Sequence, residues 1–141
     1  MPLQTDQILP IAENRLRFFG GPGQMLCPCP ATVATVVARV PEQKLITSDL
    51  LCKVLAAQFK VRGTCPVTAK NSLKVVASEP GTKIPYWRVI KTNGELTTLF
   101  PGGLEAQAVR LKQEGFSIDT GGRKPRVENF KASLVDLVDL V

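Results

Sequence analysis

The side chains best suited to chemistry follow Pro85, where the sequence runs Tyr86-Trp87-Arg88-Val89. Tyr86 carries a hydroxyl, but a hydroxyl or thiol nucleophile at neutral pH needs a neighbouring base, and imidazole is the usual one because its pKa lies close to that pH. The chain contains no histidine. Tyr86 is therefore interpreted as a pocket or stacking group. No catalytic residue is expected, and the enzyme classes are disfavoured.

The four cysteines, Cys27, Cys29, Cys52 and Cys65, do not form a metal-binding pattern. The Cys-Pro-Cys step lacks the two-residue spacer of zinc knuckles, and neither a second pair nor a histidine completes a ligand set. Cys52 lies among leucines and valines and is expected to be a buried small hydrophobe. The cysteines are predicted to be reduced structural thiols. No metal ion and no cofactor is expected.

The composition is that of one globular domain with a basic surface. The chain has 141 residues, 44% of them hydrophobic and 21% charged, and a net charge of +6. Such a charge favours polyanionic partners. No apolar run approaches the roughly 20 residues that span a bilayer, and the N-terminus lacks the pattern of a signal peptide. A monomer without a membrane partner is expected, located in the cytoplasm, with association with the nucleoid as a variant of that location.

Apolar spacing predicts a mainly α fold with a small β wing. One helix is predicted to begin at Pro30 and end at Pro41, and a second to run through Leu50–Phe59 behind cap candidates at residues 47–49. A third should run from Pro66 to about Ser78, with buried positions at Val67, Leu73, Val75 and Val76. Helix, short turn and helix on a basic background outline a helix-turn-helix.

The second half adds the wing and a further helix. Residues 89–91 and 95–96 flank Asn93-Gly94, which predicts a hairpin because both turn positions tolerate positive φ. A helix over 104–114 should stop at Gly115. The expected organisation is an irregular arm over residues 1–29 with a short helix around 6–18, a domain over 30–118, and a basic linker with a C-terminal helix over 119–141. That last helix would carry Phe130, Leu134, Leu137, Val138 and Val141 on one face.

The order of these motifs resembles the DNA-binding domain of the O6-alkylguanine-DNA alkyltransferases, a winged helix-turn-helix. The resemblance covers roughly residues 30–118 and is strongest over 84–115. Tyr86 stands where that family has its acceptor cysteine in a Pro-Cys-His-Arg-Val motif, and Trp87 stands where it has the activating histidine. The motif's arginine and valine, a Gly-Gly-Leu helix start at residues 102–104 and the glutamate at 114 all match.

The resemblance implies two sets of site residues. Arg88 would hold the active-site loop, the Val89 carbonyl would accept from a flipped guanine, and Glu114 would lose the histidine that it orients in the family. The implied lesion pocket consists of Tyr86, Trp87, Arg88, Val89, Phe100, Pro101 and Glu114. The implied DNA contacts are Ser48, Lys60, Arg62, Lys70, Asn71 and Lys74, with Lys70 or Asn71 in place of the family's arginine finger.

The function that follows is DNA binding without alkyl transfer. Relatives that lack the acceptor cysteine, the alkyltransferase-like proteins, bind alkylated DNA and flag it for nucleotide excision repair. Duplex DNA, alkylated or not, and a repair protein are the implied partners. Those relatives usually keep a histidine after the replaced cysteine, so the Tyr-Trp pair departs from them. Three alternatives stay open: a winged helix that binds undamaged DNA, a protein-interaction domain that uses the apolar tail, and a residual alkyltransferase that uses Cys65.

Overall fold

The computed structural model describes residues 4–140, except for the side chain of Val138, and is helix-rich with small sheets. The helices are α1 (Leu16–Phe19), α2 (Pro30–Val37), α3 (Ser48–Phe59), α4 (Pro66–Ser78), α5 (Gly103–Gln113) and α6 (Leu137–Leu140). The strands are β1 (Gln7–Pro10), β2 (Gln24–Cys27), β3 (Ile46–Thr47), β4 (Gly63–Thr64), β5 (Val89–Ile90), β6 (Ile118–Asp119) and β7 (Arg126–Val127). Short 3₁₀ turns cover Glu13–Arg15, Tyr86–Arg88 and Phe130–Ser133.

Helices α2, α3 and α4 begin where local chemistry favours a helix start. Pro30 and Pro66 occupy first-turn positions, where the missing N–H costs no hydrogen bond. The Thr47 side chain accepts from the Leu50 N–H at 3.3 Å and caps α3. All three helices pack into one apolar core, in which Val33, Val36, Val54 and Leu55 have no exposed surface. The three predicted helices are confirmed.

One predicted core residue of α4 is wrong. Val67 is 62% exposed, because the buried stripe of α4 passes through Ala69, Ser72, Leu73, Val76 and Ala77 instead. Val67 lies on the opposite face, which it shares with positions 70, 71 and 74 at helical spacing. A valine that water contacts is therefore part of this helix's polar face.

The N-terminal arm is more regular than the sequence predicted. Strand β1 pairs antiparallel with β2, and β2 pairs in parallel with β4 to complete a three-stranded sheet. The helix expected around residues 6–18 is reduced to the turns at Glu13–Arg15 and Leu16–Phe19. The Gly-rich segment 20–23 connects helix to strand with positive φ at Gly20, Gly21 and Gly23. Residues 1–3 of the predicted arm lie outside the described residues.

The expected wing hairpin is replaced by a turn. The Lys91 N–H donates to the Glu95 carbonyl and the Gly94 N–H to the Lys91 carbonyl, each at 2.9 Å, so the predicted turn is present. However, β5 pairs in parallel with β3, and Glu95 bridges Arg126. The strand before the turn thus finds its partner in the segment that precedes α3.

The predicted C-terminal helix is broken into pieces. Leu134 is extended, with ψ 140°, because the backbone there bonds to Leu45 instead of to itself. The Leu45 N–H donates to the Ser133 carbonyl at 2.8 Å, and the Val135 N–H donates to the Leu45 carbonyl at 2.9 Å. Only α6 is α-helical, and it buries Leu140 in the main core. Val141 and the Val138 side chain, assigned to the same helix face, lie outside the described residues.

The described helices include none that is long and apolar enough to cross a membrane.

Gly94 is predicted to be the glycine in this half of the chain that tolerates a side chain least. Its φ is +88°, and a Cβ would lie 2.4 Å from the Phe130 ring. Gly81 is a matched control, because its φ is +72° but nothing lies within 4 Å of a Cβ there. Gly81→Ala should cost about 1 kcal/mol from the left-handed backbone alone. Gly94→Ala should cost about 1–3 kcal/mol more, because the core is overpacked. Urea unfolding of both variants measures this difference, and equal losses would contradict it.

Candidate functional site

Helix α4 presents one exposed face that is suited to a polyanion. The exposed residues Val67, Lys70, Asn71 and Lys74 recur at three- and four-residue spacing, so they lie along one side of the helix. Two of them are cationic, and Asn71 adds an amide that both donates and accepts. The predicted DNA contacts Lys70, Asn71 and Lys74 are thus brought together on one surface.

A cavity of 760 Å³ opens beside this face, between α3 and α4. Small side chains leave the space, because the helices face each other there through Cys52, Ala56, Ala57 and Ala69. Its size falls within the range of small-molecule sites, roughly 300–1,000 Å³. Lys70 of the exposed face and Ser48 of α3 both line it. A mostly apolar chamber therefore adjoins a basic helix face.

Strand β5 and the two residues after it also line this cavity. These residues are Val89, Ile90, Lys91 and Thr92, and Thr92 donates to the Asp49 carboxylate at 3.0 Å. Asp49 also accepts from Thr47 at 2.6 Å. Burial raises the pKa of Asp49, but these hydroxyl bonds and nearby Lys53 outweigh that effect and lower the pKa overall. The cavity therefore contains a carboxylate near its basic rim.

The arm contributes two aromatic side chains to the lining of the cavity. Phe18 and Phe19 line it, with their rings 4.9 Å apart and nearly perpendicular. Phe19 packs so tightly on Gly63 that a Cβ there would lie 2.5 Å from its ring. Phe18 is 68% exposed. The sequence analysis missed both residues, although an aromatic pair directly after a basic residue, Arg17, was a detectable pattern.

Arg62 fixes the arm instead of extending freely into solvent. Its Nε donates to the Pro22 carbonyl at 2.7 Å, and Nη1 donates to the Phe19 carbonyl at 3.5 Å. The side chain is still exposed and lines the cavity. Lys60 is exposed at the C-terminal end of α3, where its φ is 54°. These two predicted DNA contacts therefore lie in the turn between α3 and α4, away from the exposed face of α4.

Tyr86, Trp87 and Phe100, three residues of the implied lesion pocket, form an aromatic cluster. The ring of Tyr86 lies 5.0 Å from that of Phe100 and 5.3 Å from that of Trp87. Trp87 also contacts Arg110, whose guanidinium carbon lies 4.5 Å from the ring centroid. Val89 lines the α3–α4 cavity, whereas the aromatic cluster does not, and Pro101 is exposed outside both.

Glu114, which the resemblance left without a histidine to orient, accepts hydrogen bonds from Trp87 and Arg88. The Trp87 Nε1–H donates to its Oε2 at 2.6 Å, and the Arg88 Nη2 does so at 2.9 Å. Arg88 is the buried partner, since it also donates through Nη1 to the Val40 carbonyl at 2.6 Å. Burial raises the pKa of Glu114, but hydrogen bonds from Arg88 and then Trp87 outweigh that effect and hold the pKa below its ordinary value.

Gln107 of α5 is a site residue that the sequence analysis missed. It is 2% exposed, and its Nε2 donates to the carbonyls of Trp87 at 3.0 Å and Val89 at 2.9 Å. Its Oε1 accepts from the Thr97 N–H at 2.9 Å. The Val89 carbonyl, which the resemblance assigned to guanine, already accepts a bond within the protein. A lone glutamine inside an amphipathic helix gave little indication of this role.

The described residues contain no group of three or more Cys, Asp and Glu side chains that could hold a metal ion. Cys65 is buried and does not line the cavity, whereas Cys52 does. The predicted burial of Cys52 is thus only partial, because one side of it faces open space.

The helix-rich fold carries the motif order that resembles the alkyltransferases, with Tyr86 and Trp87 at the positions of that family's cysteine and histidine. No protein-family model matches the chain, and no curated protein sequence matches it. Two crystal structures of Atl1 from S. pombe do match in three dimensions, each with a TM-score of 0.60, 20% identity, and coverage of 76% of this chain and 94% of Atl1. One complex holds damaged DNA containing O6-carboxymethylguanine, and the other holds DNA. The resemblance drawn from the motifs is confirmed at the level of the fold.

The Glu114 contacts should dominate the stability of this region. Glu114→Gln leaves Arg88 buried without its counter-charge and should cost about 3 kcal/mol at pH 7. Trp87→Phe removes one charge-assisted bond and should cost about 1–2 kcal/mol. Because folding lowers the pKa of Glu114, its contribution is complete above the unfolded-state pKa and is lost as pH falls through the folded-state value. The stability gap between the wild-type protein and Glu114→Gln should therefore narrow in acid.

Urea unfolding between pH 7 and pH 3 measures that gap. A gap that stays constant or widens as the pH falls would contradict the assignment.

Proposed function

We propose that this chain is a non-enzymatic, winged-helix DNA-binding protein of the alkyltransferase-like kind, which senses O6-alkylguanine-type damage in duplex DNA. It would act as a monomer and leave the repair chemistry to a partner protein. The observation that carries the proposal is the juxtaposition of an apolar cavity that has room for a base with the basic exposed face of α4. The fold similarity to Atl1, whose solved complex contains damaged DNA, supports the same function.

In this proposal α3 and α4 form the helix-turn-helix and the turn at residues 92–94 acts as the wing. Lys70 and Lys74 would neutralise phosphates, which gives affinity with little sequence information. Val67, the exposed apolar residue on the same face, suits contact with a sugar or a base edge. Phe18 stands at the cavity rim with most of its ring in solvent, so it offers a surface on which a base can stack.

The damaged base would enter the α3–α4 cavity beside Val89. Taking a base out of the stack costs a few kcal/mol, and that cost is lowest for a base whose pairing is already weakened by damage. An apolar chamber with Asp49, Ser48 and Thr92 near its rim can hold an alkyl group and still pair with polar edges of the base. Tyr86 begins the turn that leads into Val89, and Phe100 packs against its ring. Gln107 donates to the Val89 carbonyl. Both sets of contacts would support the Val89 segment.

Alkyl transfer is excluded from the proposal by the chemistry of the reactive pair. Trp87 supplies only an N–H donor, and Glu114 accepts it. A donor cannot remove a proton from Tyr86, so the phenol has no base of the kind that activates nucleophiles. The carboxylate of Glu114 is in turn committed to Arg88. The site can therefore bind and position a base, but it lacks the proton acceptor that alkyl transfer requires.

Loss of a lysine on the exposed face of α4 should weaken binding to all DNA and flatten its salt dependence. Lys70→Ala and Lys74→Ala should each lower the slope of log affinity against log salt by about 1 for a duplex, since each removes one phosphate contact. Lys112→Ala is the matched control, because Lys112 is an exposed lysine on α5, outside the proposed face. Fluorescence anisotropy across a salt series measures the slopes. Equal effects of all three substitutions would contradict the assigned face.

Damage preference should depend on the cavity and on Tyr86. We expect wild-type protein to bind a duplex with one O6-methylguanine more tightly than the matched guanine duplex. Cys52→Phe places a ring in the cavity and should bring the ratio of the two Kd values close to one while binding to intact DNA persists. Tyr86→Ala should also remove the preference. The same anisotropy assay measures both ratios.

Each other outcome points to one alternative. A preference for the damaged duplex that survives Cys52→Phe but not Tyr86→Ala would indicate that the lesion binds at the aromatic cluster. Equal, salt-sensitive binding of both duplexes by wild-type protein would make the chain a general DNA-binding module. Absence of DNA binding at physiological salt would favour a protein-interaction domain.

A further inference from the structure

Cys27 and Cys65 lie side by side where the arm meets the start of α4. Strands β2 and β4 pair in parallel with Met25 opposite Gly63 and Leu26 opposite Thr64, so Cys27 and Cys65 come next in register. The Cys65 N–H donates to the Leu26 carbonyl at 2.8 Å and continues the ladder. Neighbouring strands lie about 4.8 Å apart, which falls within the Cα separations of roughly 4.4–6.8 Å that a disulfide spans. Both thiols are free.

Arg15 makes Cys65 the more reactive member of the pair. Its Nη1 and Nη2 each lie 3.6 Å from the Cys65 sulfur, and Cys65 is the residue that precedes α4, at the positive end of the helix dipole. Burial raises the pKa of Cys65, but interactions with Thr68 and Arg15 outweigh that effect and bring the pKa to about 7. Burial raises the pKa of Cys27. One thiol is thus poised as a thiolate beside a partner that keeps its proton.

The other two cysteines lack this arrangement. Cys29 is buried and its sulfur lies 3.5 Å from the Thr32 hydroxyl. Cys52 is partly exposed, whereas the other three cysteines are buried. The buried part of its surroundings still raises the pKa of Cys52 to about 11. Exposure alone would make Cys52 react first with an oxidant, whereas thiolate character favours Cys65. The two criteria therefore predict different outcomes.

We propose that Cys27 and Cys65 form a peroxide-sensitive dithiol, which hydrogen peroxide converts into an intramolecular disulfide between the arm and the start of α4. The Cys65 thiolate attacks one peroxide oxygen, so that an S–O bond forms, the O–O bond breaks, and hydroxide leaves and takes a proton to become water. Cys27 sulfur then attacks the sulfenic sulfur, an S–S bond forms, and the hydroxyl leaves with the Cys27 proton as a second water. The two thiols lose two electrons, and the peroxide gains them.

Peptide mapping of the full-length protein tests this directly. The reduced chain is treated with graded hydrogen peroxide, the remaining thiols are blocked with iodoacetamide, and tryptic peptides are analysed by mass spectrometry. We expect a cross-link between the peptide of residues 18–39 and the peptide of residues 63–70, with Cys52 still alkylated. Earlier oxidation of Cys52, or disulfides between two chains only, would overturn the proposal. This readout needs no DNA and no variant.

Matched variants identify the partner and the activating charge. Cys29→Ser should keep the cross-link, whereas Cys27→Ser should lose it and leave a Cys65 sulfenic acid that dimedone traps. Arg15→Gln should slow the reaction several-fold at pH 7 without abolishing it. A cross-link that survives Cys27→Ser but not Cys29→Ser would assign the partner to Cys29 and overturn the pairing. An unchanged rate in Arg15→Gln would overturn the role of the guanidinium.

Discussion

The buried ion pair between Arg88 and Glu114 is the constraint on which the motif region depends. Both side chains are nearly enclosed, at 10% and 13% exposure, so each charge must be satisfied within the protein. Arg88 also donates through Nη1 to the Val40 carbonyl, three residues after the end of α2, and Glu114 lies where α5 ends. One pair of charges therefore fixes three segments against one another. The described residues contain no buried side-chain polar atom that lacks a partner, which fits a network whose incomplete form would be costly.

The same network contains Trp87 and Glu114, which the resemblance aligns with the activating histidine and the glutamate of the alkyltransferase motif. A tryptophan at position 87 can still donate to Glu114 through Nε1, so the acid keeps an N–H donor at the place where the family has a histidine. Tryptophan has no acceptor nitrogen, however, and cannot move a proton. Arg110 and Arg88 lie against its ring and add cation–π contacts. Trp87 therefore supplies a structural hydrogen bond to Glu114 and no proton acceptor.

Sequence patterns predicted the elements that local chemistry determines. Pro30, Pro66 and Thr47 mark helix starts through their own backbone and side-chain chemistry, and the apolar spacing of α3 identifies its buried face. The strand pairings depended on distant partners instead. Val89–Ile90 pairs with Ile46–Thr47 instead of with residues 95–96 beyond its own turn, and Ser133 and Val135 bond to the Leu45 backbone in place of helical hydrogen bonds. The cavity was equally unpredictable, because small residues on α3 and α4 leave a space only once the crossing of the helices is known.

The arm packs against the turn between α3 and α4. Arg62 holds the arm's carbonyls, Gly63 lets Phe19 approach the α3–α4 turn, and β4 receives β2 as a strand partner. Because these contacts all meet at the turn before α4, any change in the arm must alter the wall of the cavity and the start of the helix together. The arm also supplies both Arg15 and Cys27 to the thiol of Cys65. A covalent bond between β2 and the start of α4 would therefore join the arm to the turn whose residues Arg62, Gly63 and Thr64 line the cavity.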